Sequence, residues 1–169
     1  MALRHLNLRD FVIVPTLDLA PEAGFTALTG ETGAGKSIVV DALQLATGGR
    51  GGSEMVRHGA ERAEVVATFE LTAADRKPQS PLAVLLEDQS IDAADELVMR
   101  RLVTADGKSR GYLNGQQVTL QVLREVGSLL IDIHGQHEFQ SLTRPAAQRE
   151  QLDDFAAHQA LVAEVAAAH

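Results

Sequence analysis

Residues 30–37 read Gly-Glu-Thr-Gly-Ala-Gly-Lys-Ser, and this segment constrains the fold more than any other part of the chain. Two glycines five positions apart, followed by lysine and then serine or threonine, form the pattern of a phosphate-binding loop. Such a loop lies between a strand and a helix. The apolar residues 25–28 predict a short buried strand, and residues 38–46 predict a helix. The sequence therefore predicts an α/β fold built around this turn.

Each residue type in the loop has a physical role in holding phosphate. Glycine lets the backbone turn tightly and point its N–H groups inward, and the following helix adds the positive end of its dipole. Lys36 would reach the outer phosphates, and the Ser37 hydroxyl would be a ligand of Mg²⁺. The alternative is a plain glycine-rich turn that carries a surface lysine. The predicted nucleotide contacts are Gly30, Glu31, Thr32, Gly33, Ala34, Gly35, Lys36, Ser37 and Ile38.

The composition limits the size of the fold and the choice of partners. A chain of 169 residues is one ordinary domain or a piece of a larger protein. Hydrophobic residues make up 45% of it but aromatic residues only 4%, so aliphatic side chains must fill the core. The formal charge of −8 argues against nucleic-acid binding by net charge. Any DNA contact would need a local basic patch or another part of the protein.

The sequence contains no cysteine, which excludes disulfides and cysteine-ligated zinc and fits a reducing cytoplasm. The first ten residues carry charges and no long apolar run follows them, so we expect no signal peptide. No stretch approaches the length that a membrane span needs. We therefore expect a cytoplasmic protein without a membrane partner.

The first part of the chain predicts strands on both sides of the loop. Residues 3–13 alternate with period two, and residues 14–19 continue the pattern past Pro15, which indicates a sheet edge or a bend. Two strands before the loop differ from the simplest nucleotide kinases, where the loop follows the first strand. The glycines of residues 47–52 predict the end of the helix, and Arg50 among them is either a phosphate or DNA contact or a solvated arginine.

The middle of the chain predicts a strand, an insertion and an antiparallel meander. Residues 64–71 alternate as a strand does. Residues 72–96 predict a surface insertion, in which a polar loop is followed by a short helix and then by an exposed acidic stretch at residues 91–96. The meander has strands at residues 96–104, 109–113 and 116–118, with tight turns at residues 105–108 and 114–115.

Four cations of the meander, Arg100, Arg101, Lys108 and Arg110, have only Asp106 near them in the sequence. The main interpretation is a solvated face of the sheet. The alternative is a contact with phosphate or DNA.

Residues 119–126 predict a helix capped by Thr119, and residues 129–134 predict a buried strand. Gln136 follows this strand and could reach across to the Mg²⁺ held by Ser37, where it would report whether the γ-phosphate is present. The alternative is a loop glutamine without a partner. The nearby Asp132, His134, His137 and Glu138 do not match the spacing of a zinc helix, so we expect no metal on the histidines.

Residues 145–169 predict one continuous helix with proline in its first turn. A narrow apolar stripe at Leu152, Phe155, Val162 and Val165 indicates either the start of a coiled coil or a helix that packs on the domain. The sequence ends within this helix without a cap. We therefore expect the natural protein to continue.

Together, these stretches resemble the head domain of the SMC-like, ABC-type ATPases. The stretches that carry the resemblance are residues 6–13, 28–38, 48–50, 56–59 and 131–142. The most specific of them are the residue sequence of the phosphate loop and the His-Gly-Gln-His-Glu segment at residues 134–138. The resemblance covers most of the chain apart from residues 72–96.

The resemblance implies a P-loop NTPase of the ABC/SMC head type. Residues 1–144 would be its N-terminal lobe, with a mixed sheet and an antiparallel β meander, and residues 145–169 would begin a coiled-coil arm. Lys36 and Gln136 would be the catalytic residues, and Ser37 and Gln136 the metal ligands. The cofactors would be ATP and Mg²⁺.

The resemblance also implies DNA double-strand break repair and recombination in the nucleoid, with ATP-dependent dimerisation of two heads. The partners would be a C-terminal half of the same head, a second head and DNA. The signature and the paired acids of the family lie in that half and are absent here, so we expect no ATP hydrolysis by this chain unaided. The alternatives are an ABC transporter subunit, which would carry those motifs in one short chain, a small nucleotide kinase, and a non-enzymatic binding module.

Overall fold

The structure is a computed structural model, which describes residues 2–29, 35–92 and 95–133 and some positions beyond residue 147. The later positions are 148, 149, 152, 153, 155, 156, 158, 161, 164 and 165. Two compact units are present, Met1–Ile131 and Asp132–His169. The predicted division at residue 144 remains a prediction.

The first unit is built on a six-stranded sheet whose described pairings are all antiparallel. Its strands are β1 (Ala2–Phe11), β2 (Val14–Leu19), β3 (Arg62–Glu70), β4 (Glu96–Thr104), β5 (Ser109–Leu113) and β6 (Gln116–Val118). The order across the sheet is β2-β1-β3-β4-β5-β6. The predicted strands at these positions are confirmed, and Pro15 lies on an edge strand, where its missing N–H breaks no ladder bond.

The turns of the meander are confirmed as well. Asn114 and Gly115 both have positive φ, at 46° and 83°, and this backbone favours asparagine and glycine and matches the twist of a hairpin. In the β4–β5 turn, Lys108 Nζ donates a hydrogen bond of 2.6 Å to Asp106. That bond, with further hydrogen bonds from the Thr104 hydroxyl and the Lys108 N–H, lowers the pKa of Asp106 to about 2, so the carboxylate is ionised at neutral pH and balances the charge of Lys108.

The described residues of the first unit form three helices beside the sheet: α1 (Lys36–Ala46), α2 (Pro81–Asp88) and α3 (Leu120–Leu130). A short 3₁₀ turn, Ser53–Met55, follows the glycine-rich segment. Helix α1 packs on β3 and β4, and α3 packs on β5. The Thr119 hydroxyl caps α3 by accepting a hydrogen bond from the Val122 N–H, as the sequence predicts.

Strand alternation places one face of the sheet in the core. The register pairs Val65 of β3 with Arg101 of β4, and Arg101 in turn with Gly111 of β5. Directly paired residues point to the same face. The buried face of the sheet includes Leu6, Leu8, Val65, Ala67, Phe69, Leu97, Met99, Arg101, Val103 and Leu113.

Arg101 is therefore inside the core, and its prediction as a solvated cation is wrong. Its side chain is only 2% exposed, and neither Nε nor Nη1 has a hydrogen-bond partner in the described part of the chain. Burial lowers the pKa of the Arg101 guanidinium, with the nearby charge of Arg124 as the second cause. Arg101 is buried because side chains along a strand alternate between the two faces of the sheet, and Arg101 is in phase with the buried Met99 and Val103.

The other cations of the meander lie outside the core. Arg100 points to the opposite face, where it forms an ion pair with Glu64 and stacks on the Tyr112 ring at 5.2 Å. Arg110 is exposed. Arg100 and Lys108 already have acidic partners. Little unpaired positive charge therefore remains on the meander for a contact with phosphate or DNA.

We expect Arg101→Met to raise the free energy of unfolding by about 1–4 kcal/mol, because methionine fills a similar volume without a desolvated charge. Denaturant unfolding followed by circular dichroism measures the change. Arg100→Met is the matched control on the other face, and its loss of an ion pair and a ring contact should cost about 1 kcal/mol or less. Destabilisation by Arg101→Met would show that the buried guanidinium is satisfied in solution.

The predicted strand at residues 25–28 is wrong. Residues 25–29 form no strand, and Phe25 is 96% and Leu28 48% exposed. An apolar run becomes a buried strand only where a neighbouring strand and a covering layer are present. Within the described residues nothing supplies either of them.

The predicted strand at residues 129–134 is also wrong where it can be checked. Helix α3 extends to Leu130, and its buried residues Leu123, Val126, Gly127 and Leu130 follow the helical spacing. The apolar run at residues 129–131 is thus partly the buried face of a helix. Residues 131–133 are not in a strand, and His134 lies outside the described residues.

The insertion at residues 72–96 contains the predicted short helix, α2, but the insertion does not lie entirely on the surface. Leu82 and Leu86 of α2 join the core, and so does Ile91, which contradicts its prediction as exposed. The acidic residues that follow, Asp92 and Asp95, are exposed as expected. Apolar spacing along α2 therefore ties the insertion to the core, where α2 contacts α3.

In the second unit the helix predicted for residues 145–169 is interrupted. Residues 148–149, 152–153, 155, 161 and 164–165 are helical, but Ala156 lies in a turn and His158 in no regular element. Leu152, Phe155 and Val165 of the predicted stripe are exposed, and Val162 lies outside the described residues. No helix among the described residues is long and apolar enough to cross a bilayer.

Candidate nucleotide site

The amino end of α1 forms the described part of the candidate site. The N-cap is Gly35, which has no side chain to bond the free N–H groups of the first turn, and the first turn contains no acidic residue. The helix dipole places partial positive charge at this end. Because neither a cap nor a carboxylate of the helix offsets that charge, the arrangement favours a bound anion.

Lys36 and Ser37 occupy the first two positions of α1 and are exposed there. The next residue, Ile38, is buried, together with Ala42 and Leu45 farther along the helix. The buried stripe fixes the orientation of α1, while the ammonium and hydroxyl groups remain at the surface. This combination suits a magnesium-bound phosphate, because lysine supplies charge and serine supplies an oxygen ligand.

Several predicted site residues lie outside the described residues. These are Gly30, Glu31, Thr32, Gly33 and Ala34 of the loop, and Gln136. His134, His137 and Glu138 of the rejected metal constellation lie outside as well, whereas Asp132 is described. The structure thus brings together Gly35, Lys36, Ser37 and Ile38.

An apolar groove of about 580 Å³ runs beside α1. Val39 and Leu43 of α1 line it together with Thr26 and Leu28 of the exposed segment before the loop. Leu3, Leu6, Leu19, Pro21 and Gly24 are among its other lining residues. The groove is open to solvent in this chain and offers apolar surface that nucleotide phosphates would not cover.

At its other end α1 stops where the glycines predict. Thr47 is the C-cap, and Gly48 has a φ of +86°, which is the left-handed conformation that glycine supplies at helix ends. Arg50 is exposed in the segment that follows. Both interpretations of Arg50 remain open.

Hydrogen bonds between residues 10–12 and residues 55–57 form a clamp that the sequence did not predict. Arg57 Nε donates to Asp10 Oδ1 at 2.7 Å, and the Arg57 N–H donates to the Asp10 carbonyl at 2.8 Å. The Val12 N–H also donates to the Met55 carbonyl at 2.9 Å. The clamp fixes the segment after the 3₁₀ turn to the β1–β2 turn. No local sequence pattern predicts this clamp, because Asp10 and Arg57 are far apart in sequence.

The chain matches the family model of the AAA domain over residues 5–159. It is 44% identical to the DNA repair protein RecN of Vibrio cholerae over 92% of this chain and 27% of that protein. It is 45% identical to RecN of Bacillus subtilis over 91% of this chain and 26% of that protein. The chain thus spans about a quarter of the length of these relatives and corresponds to their N-terminal part.

Among solved structures, the Smc head domain with an extended coiled coil from Pyrococcus furiosus, bound to the C-terminal domain of ScpA, is similar. The identity is 27%, the TM-score 0.58, and the match covers 76% of this chain and 33% of that one. The resemblance inferred from the sequence is thereby confirmed, and the fold is that of a P-loop ATPase head.

Proposed function

The chain belongs to the AAA domain family, and from this premise we propose that it is the N-terminal lobe of an SMC-like ATPase that acts in DNA repair. The observation that carries the proposal is the phosphate-loop sequence followed directly by an uncapped helix amino end with Lys36 and Ser37 exposed. The likeness to the N-terminal part of RecN supports the repair role.

ATP with Mg²⁺ is the nucleotide that this lobe would take. Residues 30–38 would hold its phosphates, Lys36 would neutralise the outer ones, and Ser37 would supply a hydroxyl to the metal. The metal, when bound, neutralises charge on the phosphates during phosphoryl transfer. Gln136 would be the second metal-facing residue, which responds to the presence of the γ-phosphate.

The lobe would need the rest of its protein to hydrolyse ATP to ADP and phosphate. The exposed segment at residues 25–29 and the groove beside it support this, since a stable lobe seldom leaves phenylalanine and leucine uncovered next to its site. We propose that a C-terminal half of the same head covers them. Residues 145–169 would begin the coiled-coil arm that joins the two halves.

Two such heads would dimerise around ATP, and DNA would be held or bridged by the joined pair during double-strand break repair and recombination. The protein would act in the cytoplasm, at the nucleoid. The described cations of the meander contribute little to DNA binding, because Arg101 is buried and Arg100 and Lys108 are paired. DNA contacts would therefore come mainly from the assembled dimer.

The experiment is to measure ATP hydrolysis and self-association of the complete protein with and without double-stranded DNA. We expect MgATP-dependent dimers in light scattering and a turnover that DNA alters. The isolated chain should show no turnover under the same conditions. Monomers at saturating MgATP, or hydrolysis by the isolated chain, would contradict the proposal.

A further inference from the structure

Arg101 carries a buried charge that no acidic residue in the described part of the chain balances. The residue is 2% exposed, and its Nε and Nη1 have no hydrogen-bond partner among the described residues. A guanidinium that is removed from water without an acceptor is strongly destabilising. The fold therefore favours a negatively charged group at this position.

A second guanidinium lies near the first. Arg101 pairs in register with Gly111, and α3 crosses the sheet there, because a Cβ added to Gly111 would lie 2.9 Å from Cδ2 of Leu123. Arg124 is the next residue of α3. Burial, and after it the charge of Arg124, lowers the pKa of the Arg101 guanidinium. Two like charges therefore lie close together where α3 crosses the sheet.

Arg124 is held in place by the carboxyl end of α1. Its Nε and Nη2 each donate to the Gly48 carbonyl at 3.2 Å. A Cβ added to Gly48 would lie 2.6 Å from the backbone nitrogen of Arg124, and one added to Gly127 would lie 2.6 Å from the Cβ of Thr47. Helices α1 and α3 are thus in backbone contact, and Arg124 cannot move away from Arg101 without breaking it.

The end of α1 offsets only part of this positive charge. A helix carries about half a negative charge at its carboxyl end, whereas the two guanidiniums carry a full positive charge each. The Gly48 carbonyl at this end already accepts from Arg124. Within the described residues, more than one positive charge therefore remains without a negative partner.

We infer that a small inorganic anion, chloride in ordinary buffers, binds between Arg101 and Arg124. N–H groups of both guanidiniums donate to it, which satisfies the buried Nε and Nη1 of Arg101. Arg124 is exposed, so the ion enters from that side. The close packing of Gly48 on α3 limits the occupant to one small ion. The site lies at the end of α1 opposite to the candidate nucleotide site and does not depend on the proposed function.

The main test compares thermal unfolding of the chain in sodium chloride and in sodium gluconate at equal ionic strength. A ligand that binds only the folded state raises the melting temperature. For the wild type we expect a melting temperature at least about 3 °C higher in about 200 mM chloride than in gluconate. In Arg101→Met the two salts should give values within about 1 °C of each other, because the site has lost its buried donors.

Arg100→Met is the matched control, because Arg100 is the neighbouring residue on the opposite face of the sheet and pairs with Glu64. It should keep the chloride effect of the wild type. General effects of the two salts act on all three proteins alike and cancel in the comparison. Equal melting temperatures of the wild type in the two salts would overturn the inference, because water alone would then solvate the guanidinium. An undiminished chloride effect in Arg101→Met would overturn it as well.

The same experiment sharpens the expected stabilisation by Arg101→Met. In gluconate the wild type pays the full cost of its buried charge, so methionine should be favoured there by the whole expected amount. In chloride the bound ion stabilises the wild type alone. The advantage of methionine should therefore shrink by the chloride shift of the wild type, and an equal advantage in both salts would contradict the inference.

If Arg101→Met does not fold, two measurements decide instead. In wild-type crystals that contain sodium bromide, anomalous scattering should show a bromide ion between the guanidiniums of Arg101 and Arg124, and bromide at other positions only would overturn the inference. In Arg124→Gln, the chloride concentration for half-maximal stabilisation should rise at least about fivefold, because one charged donor is lost. An unchanged concentration would overturn it too.

Discussion

Lys36→Ala in the complete protein should weaken MgATP binding by at least about 30-fold and abolish measurable turnover. The ammonium is the only cation in the first turn of α1, and it stands beside N–H groups that no side chain among the described residues caps. Removing one charged partner of a desolvated phosphate contact costs about 2–5 kcal/mol, and each 1.4 kcal/mol is about a factor of ten in Kd. Isothermal calorimetry and a phosphate-release assay measure the two effects.

Lys77→Ala is the control for this substitution, because Lys77 is an exposed lysine of the insertion. It should bind and hydrolyse ATP as the wild type does. Both variants should melt within a few degrees of the wild type, since surface substitutions usually change stability by no more than about 0.5 kcal/mol. Wild-type turnover in Lys36→Ala would refute both the site and the proposed function.

Phe25→Asp should prevent this lobe from joining the rest of the head. Phe25 is 96% exposed in the lobe alone, so the substitution should leave the stability of the lobe nearly unchanged. In an assembled head the phenylalanine would be covered, and burial of such a side chain contributes about 1.5–3 kcal/mol. A buried, unpaired carboxylate adds a further penalty. We expect the association constant for the separately produced C-terminal half to fall at least about 100-fold.

Val84→Asp serves as the matched control for the assembly experiment, because Val84 is an exposed apolar residue on α2 outside the groove. Size-exclusion chromatography and calorimetry of the mixed halves compare the variants. Equal impairment by both substitutions would indicate a general solubility effect. Normal assembly of Phe25→Asp would show that the segment at residues 25–29 is not part of the interface between the two halves.

The sheet shows how far local patterns reach. Period-two alternation and the Asp-Gly and Asn-Gly turns predict β1 and β3 to β6 to within a few residues, because both signals act between neighbours in the chain. The same alternation already places Arg101 in phase with Met99 and Val103. The charge of Arg101 predicts a surface position and its phase predicts a buried one, and in the structure the phase prevails.

The apolar runs show where local patterns fail. Residues 25–28 and 129–131 are both short and largely apolar, which fits a buried strand and a buried helix turn equally well. In the structure the first run is exposed and the second continues α3 as far as Leu130. The structure of each run depends on which strands and helices pack against it. The residues next to the run in the sequence do not contain that information.

The sequence by itself determined the phosphate-loop signature, the helix that follows it, the antiparallel meander and the family, because each depends on residue types at fixed short spacings. Only the tertiary structure decided that Asp10 clamps Arg57, and that Gly48 and Gly127 bring α1 and α3 into backbone contact. These contacts join residues far apart in the chain. Their energies come from burial and close packing, which exist only once the sheet has brought the elements together.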